Sequence, residues 1–149
     1  MHVPTPAAFA LALAVKPVSS NAKPQQSRWY DRLLQDAARA QGWYLLSGPL
    51  YARIVWFQLQ STQGDVDNVA KRILDAFKGI VFEDDEQIAR CLTLKTVADL
   101  GGNFSMDPTM IPSSSILLQL EALLRTEQHT LYIEMGPVID PMVSFGPVH

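Results

Sequence analysis

A chain of 149 residues with 48% hydrophobic and 18% charged side chains can bury a core, and its composition is that of a globular domain rather than a disordered segment. Its single cysteine excludes an intrachain disulfide framework, and its three histidines argue against a histidine-based zinc site or catalytic triad. The net charge of −3 hides an uneven distribution, since residues 1–64 carry six basic and two acidic side chains. A basic N-terminal part is compatible with a polyanionic partner, although solvated surface positions explain the same charges.

The apolar pattern predicts four β-strands. Residues 9–15 alternate bulky side chains with alanine, which favours a first strand over a signal peptide, because no basic residue precedes the segment and it is too short to span a bilayer. Residues 50–59 and 88–97 are predicted as further strands, the first of them central, and residues 131–135 as a closing strand. We therefore expect a cytoplasmic protein without a membrane segment.

Three amphipathic segments are predicted as helices: residues 27–41 with Ser27 as N-cap, residues 67–78, and residues 113–125. Glycines follow the first two segments and supply their stops. Residues 99–112 and the tail from residue 136 onward are expected to be irregular. The three tryptophans are expected in the core rather than stacked on nucleic-acid bases: Trp29, Trp43 and Trp56.

Acidic clusters flank the middle helix. Asp65 and Asp67 lie at its start, and a second cluster, residues 83–86, follows its end. Carboxylates gathered in one place repel each other unless a cation sits between them, and hard oxygen ligands without cysteine or clustered histidine suit Mg²⁺ or Mn²⁺. Asn68, Lys71 and Asp75 share one face of the helix, from which the lysine can hold a phosphate. The pattern indicates metal-dependent hydrolysis of a phosphodiester.

A purely structural explanation of these residues stays open. Asp67 can cap the helix and pair with Lys71 four positions later, while residues 83–86 can be a solvated acidic loop. Spacing alone does not separate this explanation from a metal site.

The string from Asp65 to Gln87 resembles the signature of the RusA-type Holliday junction resolvases. The resemblance extends to a Lys-Pro-Val-Ser-Ser-Asn loop at residues 16–21 and to Ile-Glu-Met-Gly at residues 133–136. It implies a small single-domain α+β fold over residues 1–149, with a mixed sheet packed against helices and an insertion at about residues 99–128. It also implies a symmetric homodimer that nicks four-way DNA junctions in recombination and repair, with Mg²⁺ as cofactor and Mn²⁺ as a possible substitute.

The resemblance also implies roles for individual residues. The expected catalytic set is Asp65, Asp67, Lys71 and Asp85, and the expected metal ligands are Asp65, Asp67, Asp84 and Asp85. Supporting positions are Asn68, Asp75 and Gln87. We further expect DNA contacts from Lys16, Asn21, Lys23, Arg28 and Arg72. Two alternatives remain: a branched-DNA-binding module without turnover, suggested by the acidic balance, and a metal-dependent nuclease for other nucleic-acid structures.

Overall fold

The computed structural model describes residues 8–19, 21–42, 45–64, 66–98, 109 and 111–138. Its strands are β1 (Phe9–Leu13), β2 (Leu50–Gln58), β3 (Ile88–Val97) and β4 (His129–Pro137). Its helices are α1 (Pro24–Ala40), α2 (Val66–Phe77) and α3 (Ser114–Thr126), with a 3₁₀ turn at Asp85–Gln87. The strands form one mixed sheet in the order β1-β4-β2-β3, so the predicted α+β class is confirmed.

The direction of the strands decides where the ends of α2 lie. β4 runs antiparallel to both β1 and β2, whereas β2 and β3 are parallel neighbours. Parallel neighbours need a crossover connection, and α2 provides it. The helix therefore begins near the carboxyl ends of β2 and β3 and ends near their amino ends. β2 has a partner on each side, as its prediction as a central strand requires.

Two apolar cores lie on the two faces of the sheet. Phe9 and Leu11 of β1 point into the larger core beneath α1 and α2. Ala10 and Ala12 face the smaller core, which α3 covers. The alternation of bulky residues with alanine therefore matches a larger core on one face of the sheet and a smaller core on the other. Among the helices in the described part of the chain, none has both the length and the apolar character needed to cross a bilayer.

Three sequence predictions differ from the structure. α1 begins at Pro24 rather than after Ser27, because proline at the first helical position has its backbone angle already set for a helix. Trp29 is 56% exposed, so its prediction as a core residue is wrong, whereas Trp56 is buried as expected. β4 continues through Pro137 because its last residues still pair with β2. Trp43, most of the segment 99–112 and the tail beyond residue 138 lie outside the described residues.

Candidate functional site

A cavity of about 660 Å³ opens where the start of α2 meets the loop between β1 and α1. Its floor consists of buried apolar side chains: Val15, Val18, Trp56 and Val69. Its rim includes three of the residues singled out by sequence, Lys16, Asn21 and Asn68. An apolar floor with a few convergent polar groups is the usual construction of a small-ligand site. We call this feature the α2 cavity.

The first turns of α2 present exposed polar groups beside the α2 cavity. Asp67 lies in the first turn, where the helix dipole favours its carboxylate. Asn68, Lys71 and Asp75 are exposed and share one helix face. The backbone N–H groups of this turn and the ammonium group of Lys71 together favour an anion such as phosphate. Asp65 lies outside the described residues, between Gly64 and the start of α2.

The loop before α2 is anchored by groups that the sequence analysis did not identify. The Lys95 ammonium group donates hydrogen bonds to the carbonyl oxygens of Thr62 and, at 3.3 Å, of Gly64. It also lies 5.0 Å from the centre of the Trp56 ring. A Cβ atom at Gly64 would come within 2.5 Å of that ring, so only glycine fits there. These contacts fix the chain immediately before the acidic string. Sequence patterns do not reveal them, because Lys95 and Trp56 lie on different strands and become neighbours only when β2 pairs with β3.

His129 holds the indole ring that forms part of the cavity floor. The Nε1–H group of Trp56 donates a hydrogen bond of 3.1 Å to His129 Nδ1. Burial, and then the positive charge of Lys16, lower the pKa of His129. The neutral imidazole is the form whose Nδ1 can accept this bond, so the ring acts as a support for Trp56.

The opposite end of α2 has a different construction. The Asp84 carboxylate accepts a hydrogen bond of 3.1 Å from the Glu86 N–H group, and the side chain of Gln87 reaches back in a reciprocal capping box. The Asp85 carboxylate forms an exposed ion pair of 3.4 Å with Lys78. The sequence Asp-x-x-Gln is a recognisable capping pattern, which indicates a structural use for Asp84.

The length of α2 separates the two acidic clusters. Lys78 directly follows the helix and Asp67 lies in its first turn, so about 16 Å of helix axis lies between them. Across the residues that the structure describes, no three Asp, Glu, His or Cys side chains converge to hold a metal ion. Asp85 pairs with Lys78 and therefore lies at the opposite end of α2 from Asp67. Because Asp65 lies outside the described residues, the ligand set stays a prediction.

The expected DNA-contacting residues divide into two groups. Lys16 and Asn21 line the α2 cavity, and Lys23 and Arg28 are exposed at the start of α1. The guanidinium group of Arg72 instead contacts α1: it lies 3.4 Å from the Asp31 carboxylate, bonds to Ser27 and lies over the ring of Tyr30. Its visible role is to join α1 to α2.

In this small α+β domain Lys16 lines the cavity, and the exposed side chains of Asp67 and Lys71 lie on the adjoining first turns of α2. This arrangement defines a protein with a site for phosphate-containing ligands. In a comparison with known protein families, the family described as endodeoxyribonuclease RusA matches residues 14–102, which is more than half of the chain. The chain belongs to this family, as its sequence signature suggested. No curated protein matches it. Membership supports a nuclease that hydrolyses DNA and resolves Holliday junctions.

Proposed function

We propose that this protein is a Mg²⁺-dependent endonuclease that resolves four-way DNA junctions in recombination and repair. The observation that carries the proposal is the exposed polar face at the start of α2, which adjoins the α2 cavity and lies within the segment matched by the family. This helix face and the rim of the cavity expose the groups that phosphodiester hydrolysis needs: a carboxylate, amides and ammonium groups.

The donor atoms at the start of α2 suit magnesium. Mg²⁺ in proteins is commonly bound through one or two carboxylates, with water and substrate phosphate completing its shell. The exposed carboxylate of Asp67 is one such ligand, and we propose Asp65 as the second. When bound, the ion would activate water and neutralise the leaving oxygen, and Mn²⁺ accepts the same oxygen ligands. Asp85 and Asp84 stay in the proposed set through the family resemblance.

The chain's own cations would position the DNA. Lys71 makes no hydrogen bond or ion pair with any described residue, so its ammonium group is available to hold the scissile phosphate. Lys16 and Asn21 at the rim, together with Lys23 and Arg28 at the start of α1, would contact the DNA backbone on either side of that phosphate. Asn68, Asp75 and Gln87 are proposed as supporting positions. Binding through phosphates predicts a steep loss of affinity as salt rises.

We also propose that the protein acts as a symmetric homodimer, as the family resemblance implies. β3 supports this assignment because it is an edge strand with exposed apolar side chains, Leu92 at 51% and Leu94 at 46%. Light scattering on the whole protein measures the mass directly. We expect a dimer, and we expect the Leu92→Lys, Leu94→Lys double variant to shift the mass toward a monomer. A parent protein that is monomeric at micromolar concentration would refute the assignment.

The decisive experiment is cleavage of synthetic four-way junctions in Mg²⁺. Asp67→Asn and Lys71→Ala should each lower the rate by about 100-fold or more, because each removes a charge needed in the transition state. Arg39→Gln is the matched control, since this exposed residue on the last turn of α1 forms only a surface ion pair with Asp36. If both site variants cut as fast as the parent, the assigned roles are wrong. Junction binding without cleavage in any divalent ion would indicate a DNA-binding module. Cleavage of flaps, duplexes or RNA at the same rate as junctions would indicate a nuclease of different specificity.

A further inference from the structure

We propose that the α2 cavity binds one unstacked base of the DNA strand that the enzyme cuts. The inference rests on the proposed function, and it adds a ligand for a cavity to which the hydrolysis itself gives no occupant. Its support comes from the size and lining of the cavity, from one exposed aromatic ring, and from side-chain amides that make no hydrogen bond to the part of the chain that the structure describes.

The cavity has the dimensions and floor of a small-molecule site. Its volume of about 660 Å³ lies within the range of about 300–1,000 Å³ typical of ligand pockets. The buried side chains of Val15, Val18 and Trp56 give it an apolar floor. A phosphate alone would gain nothing from such a floor, whereas a planar heterocycle removes apolar surface from water on reaching it.

Trp29 supplies a stacking surface at the cavity wall. It lines the cavity and remains 56% exposed, although Tyr30 and Leu34 of the same helix are fully buried. An indole ring offers a large flat face to a base, and such stacking tolerates any base because every base has a π-face. The exposure of this ring, which has no role in the core, is explained by a ligand that covers it.

Side-chain amides surround the same opening. Four of them line the cavity and make no hydrogen bond through their side chains to any described residue: Asn21, Gln26, Gln63 and Asn68. Each amide offers a donor and an acceptor, the combination that pairs with the edge of a base. Amides with this freedom at the rim of an apolar floor can orient a heterocycle once it has entered.

The position of the cavity fits a nucleotide next to the cut. Asn68 at its rim lies one helical turn from Lys71, which is proposed to hold the scissile phosphate. Lys16 lines the cavity and places a second positive charge for a neighbouring phosphate. Bases at a branch point are less firmly stacked than those within a duplex, so moving one into the cavity costs less free energy there.

Abasic substitution tests this proposal. A set of four-way junctions, each lacking one base beside the branch point, is titrated against the whole protein in Ca²⁺, and binding is measured by gel shift. We expect one abasic position to weaken binding to the parent by about tenfold, the scale of one stacked base. Trp29→Ala should weaken binding to the intact junction by a similar factor and show no further loss at that position. Trp29→Phe should keep most of the affinity, and the control Leu118→Ala, at an exposed residue of α3, all of it.

The outcomes separate this inference from the proposed function. If no abasic position weakens binding to the parent by more than twofold, or if Trp29→Ala loses as much at that position as the parent does, the cavity does not take a base. Junction cleavage in Mg²⁺ with either of those results leaves the nuclease assignment intact and overturns only the base site. A position-specific loss that disappears in Trp29→Ala supports the base site even if the parent cuts no junction. A parent that binds neither junctions nor single-stranded oligonucleotides overturns it.

Discussion

The two ends of α2 carry similar residues in different situations. At its N-terminal end, Asn68 and Lys71 are exposed and make no contact with other described side chains through hydrogen bonds or ion pairs. At its C-terminal end, Lys78 pairs with Asp85, and the side chains of Asp84 and Gln87 cap the turn that precedes β3. In the sequence both ends look like clusters of acids, amides and lysines.

This contrast separates groups that stabilise the fold from groups that are available for a ligand. A side chain with its hydrogen bonds satisfied contributes to the free energy of unfolding and loses that contribution when it turns to a substrate. An exposed polar group without a partner contributes little to stability, so its removal is expected to affect function rather than folding. Variants at the two ends of α2 test this division.

Replacement of one acid at each end of α2 tests whether both ends belong to the proposed metal site. Asp67→Asn and Asp85→Asn are each expected to lower junction cleavage in Mg²⁺ by about 100-fold, because both stand in the proposed ligand set. Lys78→Met removes the ion pair of Asp85 without touching its carboxylate, so this variant should cleave at the parental rate. Single-turnover cleavage measures all three. An Asp85→Asn protein with parental activity would restrict the site to the N-terminal end of α2.

The amide side chains at the two ends should differ in their effect on stability. The Gln87 amide makes four hydrogen bonds: it accepts from the N–H groups of Glu83 and Asp84 and donates to the carbonyl oxygens of Leu46 and Gly48. Gln87→Ala should lower the free energy of unfolding by about 2 kcal/mol, because it leaves several of these groups unpaired. Asn68→Ala should change it by less than about 0.5 kcal/mol. Urea unfolding measures both, and equal losses would contradict the division.

The anchor of the loop before α2 should matter for the cleavage rate. Lys95→Met removes the hydrogen bonds to the loop carbonyls but keeps an apolar side chain against Trp56. We expect a roughly tenfold lower rate at saturating DNA and Mg²⁺, because displaced reacting groups lose alignment. Lys95→Arg should restore part of the rate. An unchanged rate in Lys95→Met would show that the loop keeps its position without this anchor.

The smallest effect concerns pH. The pKa of His129 is lowered in the folded protein, so between that value and about 6.5 the unfolded chain binds more protons. Neutral His129 therefore contributes fully to the free energy of unfolding above its pKa in the unfolded chain. This contribution decreases as the pH falls from there through its lower pKa in the folded protein. His129→Asn offers an acceptor near the Nδ1 position and does not titrate. We expect the thermal midpoint of the parent to fall more than that of the variant between pH 7.5 and pH 5.5; parallel curves would exclude this contribution.

Local patterns in the sequence predicted the elements better than their arrangement. The alternation in β1 and the amphipathic pattern of residues 113–125 were sufficient to place a strand and a helix, and both are confirmed. The alternation of bulky and small residues also predicted the two faces of β1. Local patterns could not predict the order of the strands, because β1 and β4, which pair in the sheet, lie near opposite ends of the chain.

The candidate site shows the same limit more sharply. Periodicity alone predicted that Asn68 and Lys71 share a helix face. The exposure of Trp29 was missed, because the helical pattern shows which face a residue occupies but not where the neighbouring loop leaves an opening. The separation of Asp67 from Asp85 depends on the parallel direction of β2 and β3, which places the crossover helix between them. No spacing within the acidic string carries that information.

The position of β4 between β1 and β2 has a consequence for the synthesis of the protein. The hydrogen-bonding edges of β1 and β2 that face β4 have no partner until residues 129–137 have left the ribosome. Until then the nascent chain holds apolar strands with open edges, a state prone to wrong association, and closure requires contacts of long sequence separation, which form slowly. A ribosome stalled before residue 129 should therefore carry a chain that proteases digest readily, and release of the last strand should confer protection in a single step.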